Sequence, residues 1–227
     1  MNSFTQDISG LLGSRKSIEE LENQEKANLL IVSDSHNNVF NLQKILKFKG
    51  KESDMLIFCG DGVYDIIQII QQAIYSEELQ KYIPPVIAFC QGNNDAKFYP
   101  LKNVEHSVDS TKPSFNQLII PQIQNFKVCN HRGFVLHGHL HSVYAGYEKL
   151  LELAHLDNSD LIFYGHTHIA TSRLYFPKTL ILNPGSCSRP RASQKACFAS
   201  LEVHKNNSDF TPIFWQIENS QIIPYNI

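Results

Sequence analysis

Long hydrophobic runs are missing from this chain of 227 residues. No stretch approaches the roughly 20 apolar residues of a membrane span, so no membrane-spanning helix is expected. An excess of either charge is missing too. Twenty Lys and Arg stand against 22 Asp and Glu, for a net charge of -2. The pI is near 6.5. The broad basic surface that nucleic-acid binding needs is therefore absent, and no nucleic-acid partner is expected. Cysteine is scarce: five residues, at positions 59, 90, 129, 187 and 197, with no Cys-x-x-Cys pair. That count argues against a disulfide framework and a thiolate metal site, and predicts buried free thiols in a reducing compartment. The opening residues, MNSFTQDISGLLGSRKS, have neither the basic start nor the apolar stretch of a signal peptide, so a cytoplasmic location is expected. What remains is ordinary for one globular domain, with 42% apolar and 19% charged residues.

Residues 1–27 are polar and contain one candidate helix, at about 16–25. They are expected to form an N-terminal extension that packs onto the domain or stays partly mobile, leaving the domain itself at 28–227. From residue 28 the pattern changes. NLLIVS (28–33), DMLIFC (54–59) and VIAFCQ (86–91) are near-continuous apolar runs of strand length. Between them Val39, Leu42, Ile45 and Leu46, then Val63, Ile66, Ile67, Ile70 and Ile74, recur at helical spacing. Asn37 or Asn38 is placed to cap the first of these helices. Strand, turn, helix, strand with unbroken apolar strands is the mark of an α/β sheet covered on both faces. After about residue 115 the style shifts to short strands and hairpins, mostly antiparallel, with one helix at about 143–156. Two packed sheets with helices outside accommodate both halves.

The apolar runs share an ending. Asp34 and His36 follow the first, Asp61 the second, Asn93 the third; His137 follows VL, and His166 and His168 follow LIFYG. The C-terminal edge of an open α/β sheet is where ligands bind. Seven donors of types Asp, His, Asp, Asn, His, His and His are thus expected on one rim. Carboxylate and amide oxygens with imidazole nitrogens suit Mn, Fe, Zn, Co or Ni rather than calcium. Seven are too many for one tetrahedral site but fit two ions sharing a carboxylate. Such a pair can hold a hydroxide and clamp a phosphoryl group for in-line attack. One intervening residue between Asp34 and His36, and between His166 and His168, returns both side chains of an extended segment to the same side. Glycines before Asp61, Asn93 and His166 permit sharp exits and close backbone approach. Taken singly, Asp34 is also a reasonable helix N-terminal acid and Asp61 a turn former.

The ordered set Asp-x-His, Gly-Asp, Gly-Asn-x-Asp, Gly-His and Gly-His-x-His resembles the calcineurin-like metallophosphoesterases. NPGSCSRPR (183–191) is similar to a segment of the small bacterial phosphodiesterase branch. The resemblance covers about 28–203. It implies a two-sheet β sandwich flanked by helices, in agreement with the reading above. It also implies a centre of two divalent ions, manganese being the first choice. Asp34, His36 and His168 would hold one ion and Asn93, His137 and His166 the other, with Asp61 bridging.

His131, His139 and His141 read first as satisfied structural histidines, with His139 also a candidate contact to the phosphate or leaving group. Asp95 is poised between support of a histidine ligand and a plain turn role. Arg189 and Arg191 are read as surface charges or phosphate contacts. Many vigorous phosphomonoesterases of the superfamily carry a histidine directly after the ligating asparagine, and here that residue is Asn94, which cannot donate a proton as a general acid. The implied activity is hydrolysis of small phosphodiesters, with Asn94, Asp95 and His139 as the candidate catalytic residues beside the metals. Two alternatives stand. One is a non-catalytic scaffold like the small retromer subunit, against which the intact ligand set argues. The other is a nucleotide pyrophosphatase whose pocket YSEELQKYIPP (75–85) and the 97–116 loop would shape.

Overall fold

In the computed structural model, residues 2–102, 115–219 and 221–227 are described. The elements run β1 (Leu12–Gly13), α1 (Arg15–Asn23), β2 (Lys26–Val32), α2 (Val39–Lys49), β3 (Met55–Phe58), α3 (Val63–Ala73), α4 (Glu77–Gln80) and β4 (Val86–Phe89). They continue through β5 (Phe98–Lys102), β6 (Phe115–Ile119), β7 (Ile123–Val128), β8 (His131–Leu136), α5 (Glu148–Asp157) and β9 (Leu161–Phe163). The chain closes with β10 (Thr171–Tyr175), β11 (Thr179–Asn183), β12 (Cys197–His204), β13 (Ile213–Glu218) and β14 (Gln221–Tyr225). Most of the 97–116 loop lies outside the described residues.

One sheet has seven strands in the order β1-β4-β3-β2-β12-β13-β14, the other five in the order β10-β11-β9-β8-β7, and β5 pairs with β6. The unbroken apolar strands are explained by two covered faces. Leu29 and Ile31 of β2, with Met55 and Ile57 of β3, pack toward Phe126, Val128, Val135 and Phe163 of the facing sheet. Their neighbours Leu30, Val32, Leu56 and Phe58 pack outward under Leu42, Ile45 and Leu46 of α2 and Ile66 and Ile70 of α3. Helix α5 covers the other outer face, where Leu150 and Ala154 meet Phe134, Leu136 and Ile162. Alternate residues of each inner strand thus serve different layers, and no polar face is left over.

Local signals hold at the caps. Asn38 accepts from the Asn41 amide at 3.0 Å and opens α2, and Ser14 accepts from the Ser17 amide at 3.0 Å and opens α1. The segment before residue 28 is folded onto the body. Leu12 and Gly13 pair antiparallel with Ile87 and Val86 at the edge of the large sheet, Leu11, Leu12, Ile18 and Leu21 are buried, and β2 already begins at Lys26.

The second half departs from the antiparallel expectation in one respect. Strands β7 and β8 form the predicted hairpin, as do β10 and β11. Strand β9, however, is parallel to both neighbours, β8 and β11. The reason is α5: a helix between β8 and β9 carries the chain back to the start of the sheet and forces a parallel crossover. This places the C-terminal ends of β8 and β9 side by side, next to those of β2, β3 and β4 from the large sheet. No helix among the described residues is long and apolar enough to cross a membrane.

Candidate metal centre

Asp34 and His36 follow β2, Asp61 follows β3, Asn93 follows β4, His137 follows β8, and His166 and His168 follow β9. Five of these seven residues have positive φ: Asp34 at 54°, His36 at 44°, Asp61 at 55°, His166 at 66° and His168 at 60°. Left-handed backbone at a non-glycine residue costs about 1–3 kcal/mol and persists only where the surroundings over-determine it, typically at a functional site. It also corrects the spacing argument. The pleat of an extended strand does not aim these pairs, because the chain has left its strand before the first ligand. Left-handed turns do the aiming.

The side chains converge. Asp34 is fully buried, and its Oδ2 accepts from Ser33 Oγ at 2.5 Å and from the His166 amide at 3.1 Å. That leaves Oδ1 turned inward. His168 Nε2 lies 3.2 Å from Oδ1, His36 Nε2 3.7 Å and His137 Nε2 3.9 Å. Asp61 Oδ2 sits between two histidines, 3.5 Å from His137 Nε2 and 3.8 Å from His36 Nε2. Behind the cluster, His137 Nδ1 donates to the Cys59 carbonyl at 2.7 Å, and His168 Nδ1 donates to the Arg189 carbonyl at 2.6 Å. Each of these bonds fixes the tautomer and leaves Nε2 facing the centre with a lone pair.

Asp34 Oδ1 and His137 Nε2 are buried without a hydrogen-bond partner. Unsatisfied buried polar atoms are costly, and a carboxylate oxygen aimed with imidazole lone pairs at one point is the arrangement a cation satisfies. Ligand atoms of Asp34, His36 and His168 lie within 4.8 Å of one another, as do those of Asp34, Asp61 and His137. The residues present therefore fit divalent cations bound by hard oxygen and imidazole donors. His166 stands farther out, its ring centroid 5.1 Å from that of His137. Asn93 is exposed and lines the same cleft.

The electrostatics agree. Burial works against the Asp61 carboxylate, yet His137 and the amides of Asn94 outweigh it and hold its pKa far below the ordinary carboxylate value. Burial likewise opposes the charged forms of His137 and His168. Attraction to Asp61 and Asp34 for the first, and to Asp34 for the second, outweighs it and raises both pKa values. Burial dominates at His36, His139 and His166, whose pKa values lie below the usual one.

Asn94 grips Asp61 twice, its amide donating to Oδ1 at 2.8 Å and its side-chain Nδ2 to Oδ2 at 2.6 Å. Asp95 touches no histidine among the described residues. Its carboxylate accepts from the amides of Asp61 at 2.6 Å, Gly62 at 3.0 Å, Val63 at 2.9 Å and Gly92 at 2.9 Å. Support of a ligand histidine is thus replaced by a different task, which is to tie the loops after β3 and β4 together. The acid lies directly over a row of amides freed by the turn into α3. His139 is half-buried, its ring centroid 5.5 Å from that of His137. Its Nδ1 is buried and unpartnered, as is that of His141. His131 is structural, bonded to Asp160 and the His204 carbonyl.

Close backbone approach is visible at Gly165, where a Cβ would run into Ser33 Oγ, Asp34 Oδ2 and the Cys59 carbonyl. Several contributors had little or no sequence signal. Ser186 and Ser188 donate to the Asp34 carbonyl at 2.7 and 3.1 Å, and Asp65, buried, accepts from Ser35 Oγ at 2.5 Å and the Asn37 amide at 2.9 Å. Only the resemblance of NPGSCSRPR to a segment of the phosphodiesterase branch pointed to the serines. The centre opens into a cleft of about 380 Å³ lined by His36, Asp61, Asn93, His166, Arg189 and Arg191 among others.

Comparison with known proteins agrees with this geometry. Residues 28–206 match the model of the calcineurin-like phosphoesterase superfamily domain. The chain is 27% identical over 179 residues to the probable metallophosphoesterase YsnB of Bacillus subtilis, covering 79% of this chain and 86% of that one. Among solved structures it is similar to a conserved uncharacterized protein, a predicted phosphoesterase, from Streptococcus pneumoniae. That match has a TM-score of 0.59 at 19% identity and covers 89% of this chain and 98% of the other. It is similar as well to Vacuolar Protein Sorting 29 from Cryptosporidium parvum, with a TM-score of 0.61 at 13% identity over 89% of this chain and 97% of that one. By its matched domain, its fold and the donors its strand ends bring together, the chain belongs to the calcineurin-like phosphoesterase superfamily.

Proposed function

We propose that this protein is a metal-dependent hydrolase of small phosphodiesters with a centre for two divalent ions, manganese being the first choice. The observation that carries the reading is the buried pair of unpartnered ligand atoms, Asp34 Oδ1 and His137 Nε2, with Asp61 Oδ2 beside them. Asp34, His36 and His168 would hold one ion, Asn93, His137 and His166 the other, and Asp61, within 4 Å of histidines from both sets, would be shared. Bound ions of this kind activate water for attack at phosphorus and neutralise charge that develops on the phosphoryl oxygens. The chain supplies the rest. Asn94 holds the Asp61 carboxylate in place through two hydrogen bonds. His139, with its ring 5.5 Å from that of His137, would meet the phosphate or the leaving group.

A preference for good leaving groups, as in aryl phosphodiesters, follows from Asn94, which cannot serve as a general acid to an alkoxide. A positioned general acid contributes about 10²–10⁴-fold, and its absence favours esters whose leaving group departs unaided. The test is a panel of phosphomonoesters, phosphodiesters and pyrophosphate esters, each assayed with Mn, Fe, Zn, Ni and Co, with Asp61→Ala as the blank. A nitrophenyl diester is expected to turn over far faster than a simple alkyl phosphate. Equal rates for those two remove the leaving-group argument, and an Asp61→Ala protein as fast as the parent removes the mechanism.

A further inference from the structure

Two arginines are tied through their own backbones to one ligand histidine. Arg189 offers its carbonyl to His168 Nδ1 at 2.6 Å, while its amide donates to Ser186 Oγ at 2.7 Å. The Arg191 amide donates to the His168 carbonyl at 3.2 Å. Both side chains therefore start from fixed points beside the centre, and both residues line its cleft. Both are exposed, and neither guanidinium forms an ion pair with a carboxylate among the described residues, unlike Arg15 and Arg132. Arg191 Nη1 donates instead to the hydroxyl of Tyr144 at 2.7 Å, whose ring stands 5.5 Å from that of His166. The Arg191 guanidinium is braced by Tyr144 beside His166, and that of Arg189 has no hydrogen-bond or ion-pair partner among the described residues.

The charge balance is informative. Two divalent ions over the carboxylates of Asp34 and Asp61 already exceed the single negative charge of a phosphodiester. Two more cations at the mouth have no counterpart in such a substrate. Guanidinium groups favour phosphoryl oxygens because their paired N–H donors match them. The cleft, at about 380 Å³, lies at the small end of the roughly 300–1,000 Å³ of ligand sites, and suits compact charged groups.

We propose that Arg189 and Arg191 form an anion subsite that takes a second phosphoryl group of the substrate, next to the one held at the metal centre. The inference rests on the phosphoesterase reading and narrows it. The substrate is a disubstituted phosphate, ester or anhydride, one of whose substituents carries a further phosphoryl group. Tyr144 holds the Arg191 guanidinium beside His166.

The test is calorimetric binding of two uncleavable probes, methylenebisphosphonate and methylphosphonate, to the manganese-loaded protein. The parent is expected to prefer the bisphosphonate by at least about tenfold, the size of one charge-assisted contact. In the Arg189→Gln/Arg191→Gln protein that ratio should fall to within about threefold of unity, and Arg189→Lys/Arg191→Lys should recover part of it. Each single Gln variant should fall in between, which guards against a misfolded double variant. A bisphosphonate preference that survives in the double Gln variant comes from the metals alone and overturns the proposal. So does a parent with no preference. Turnover of the nitrophenyl diester by the parent is read separately. Its absence would remove the phosphodiesterase reading while leaving an arginine-dependent preference intact as an anion site.

Discussion

His36 Nε2 and His168 Nε2 face each other at 3.0 Å across a gap that separates them by 132 positions in the chain. His168 has committed its Nδ1–H to the Arg189 carbonyl, so its neutral form presents a lone pair to the other imidazole. With Asp34 Oδ1 alongside at 3.2 Å from His168 Nε2, that lone pair and the facing His36 nitrogen form a group of donors that could hold a cation.

Metal loading should therefore stabilise the protein. Added manganese is expected to raise the melting temperature of the parent, since an ion that binds only the folded state shifts unfolding by mass action. His168→Ala should lower metal affinity by at least the ~10–100-fold that loss of an outer partner costs. Competition against a chelating dye measures this. Unchanged affinity in the variant would mean that His168 is not a ligand.

Gly92 is packed so that a Cβ there would strike the amide and carboxylate of Asp61. Gly92→Ala should push the loops after β3 and β4 apart, at about 1–3 kcal/mol of stability. Metal affinity should drop with it, because Asp61 is the group displaced. Urea unfolding combined with metal titration checks both; a variant that binds metal as the parent does contradicts the close approach.

Asp95 anchors four backbone amides on two loops. Hydrogen bonds to a charged acceptor are worth about 1.5–3 kcal/mol each and are not additive, so Asp95→Ala should cost on the order of 3 kcal/mol or more. Asp95→Asn, which keeps one acceptor oxygen, should cost less. If the two variants unfold at the same urea concentration as the parent, the loops are held by something else.

His131 carries the pH dependence that is independent of the metals. Its Nδ1 donates to Asp160 Oδ2 at 2.6 Å and its Nε2 to the His204 carbonyl at 3.0 Å. Both nitrogens face acceptors, so the imidazolium is the form the fold prefers. The bond to Asp160 leads, and its pKa is raised despite burial. A raised folded-state pKa contributes stability that is fully present below about 6.5, the ordinary value, and fades as pH rises through the folded one. The stability gap between the parent and His131→Asn should thus be larger at pH 6 than at pH 9. Chemical denaturation at the two pH values decides it, and a gap that does not change with pH would mean that His131 is held neutral.

The apolar runs, their helical partners and the residue types at the strand ends were legible in the chain itself. Periodicity and donor chemistry are local properties, and they predicted two packed sheets and the strand-end donors, of which Asp34, His36, Asp61, His137 and His168 fall into two close groups. The direction of those ligands was not local. Asp34 and His36, like His166 and His168, have left the strand when they reach the centre, and their left-handed turns are imposed by neighbours from other strands. Nor was the parallel placement of β9, which follows from the helix before it, or the service of Asp95 to backbone amides rather than to a histidine. The supports of Asp34 were equally hidden: Ser186 and Ser188 lie more than 150 positions away. A hydrogen bond between distant segments has no signature in either segment until packing brings them together, and in this protein those bonds decide which atoms of the ligands remain free for a cation.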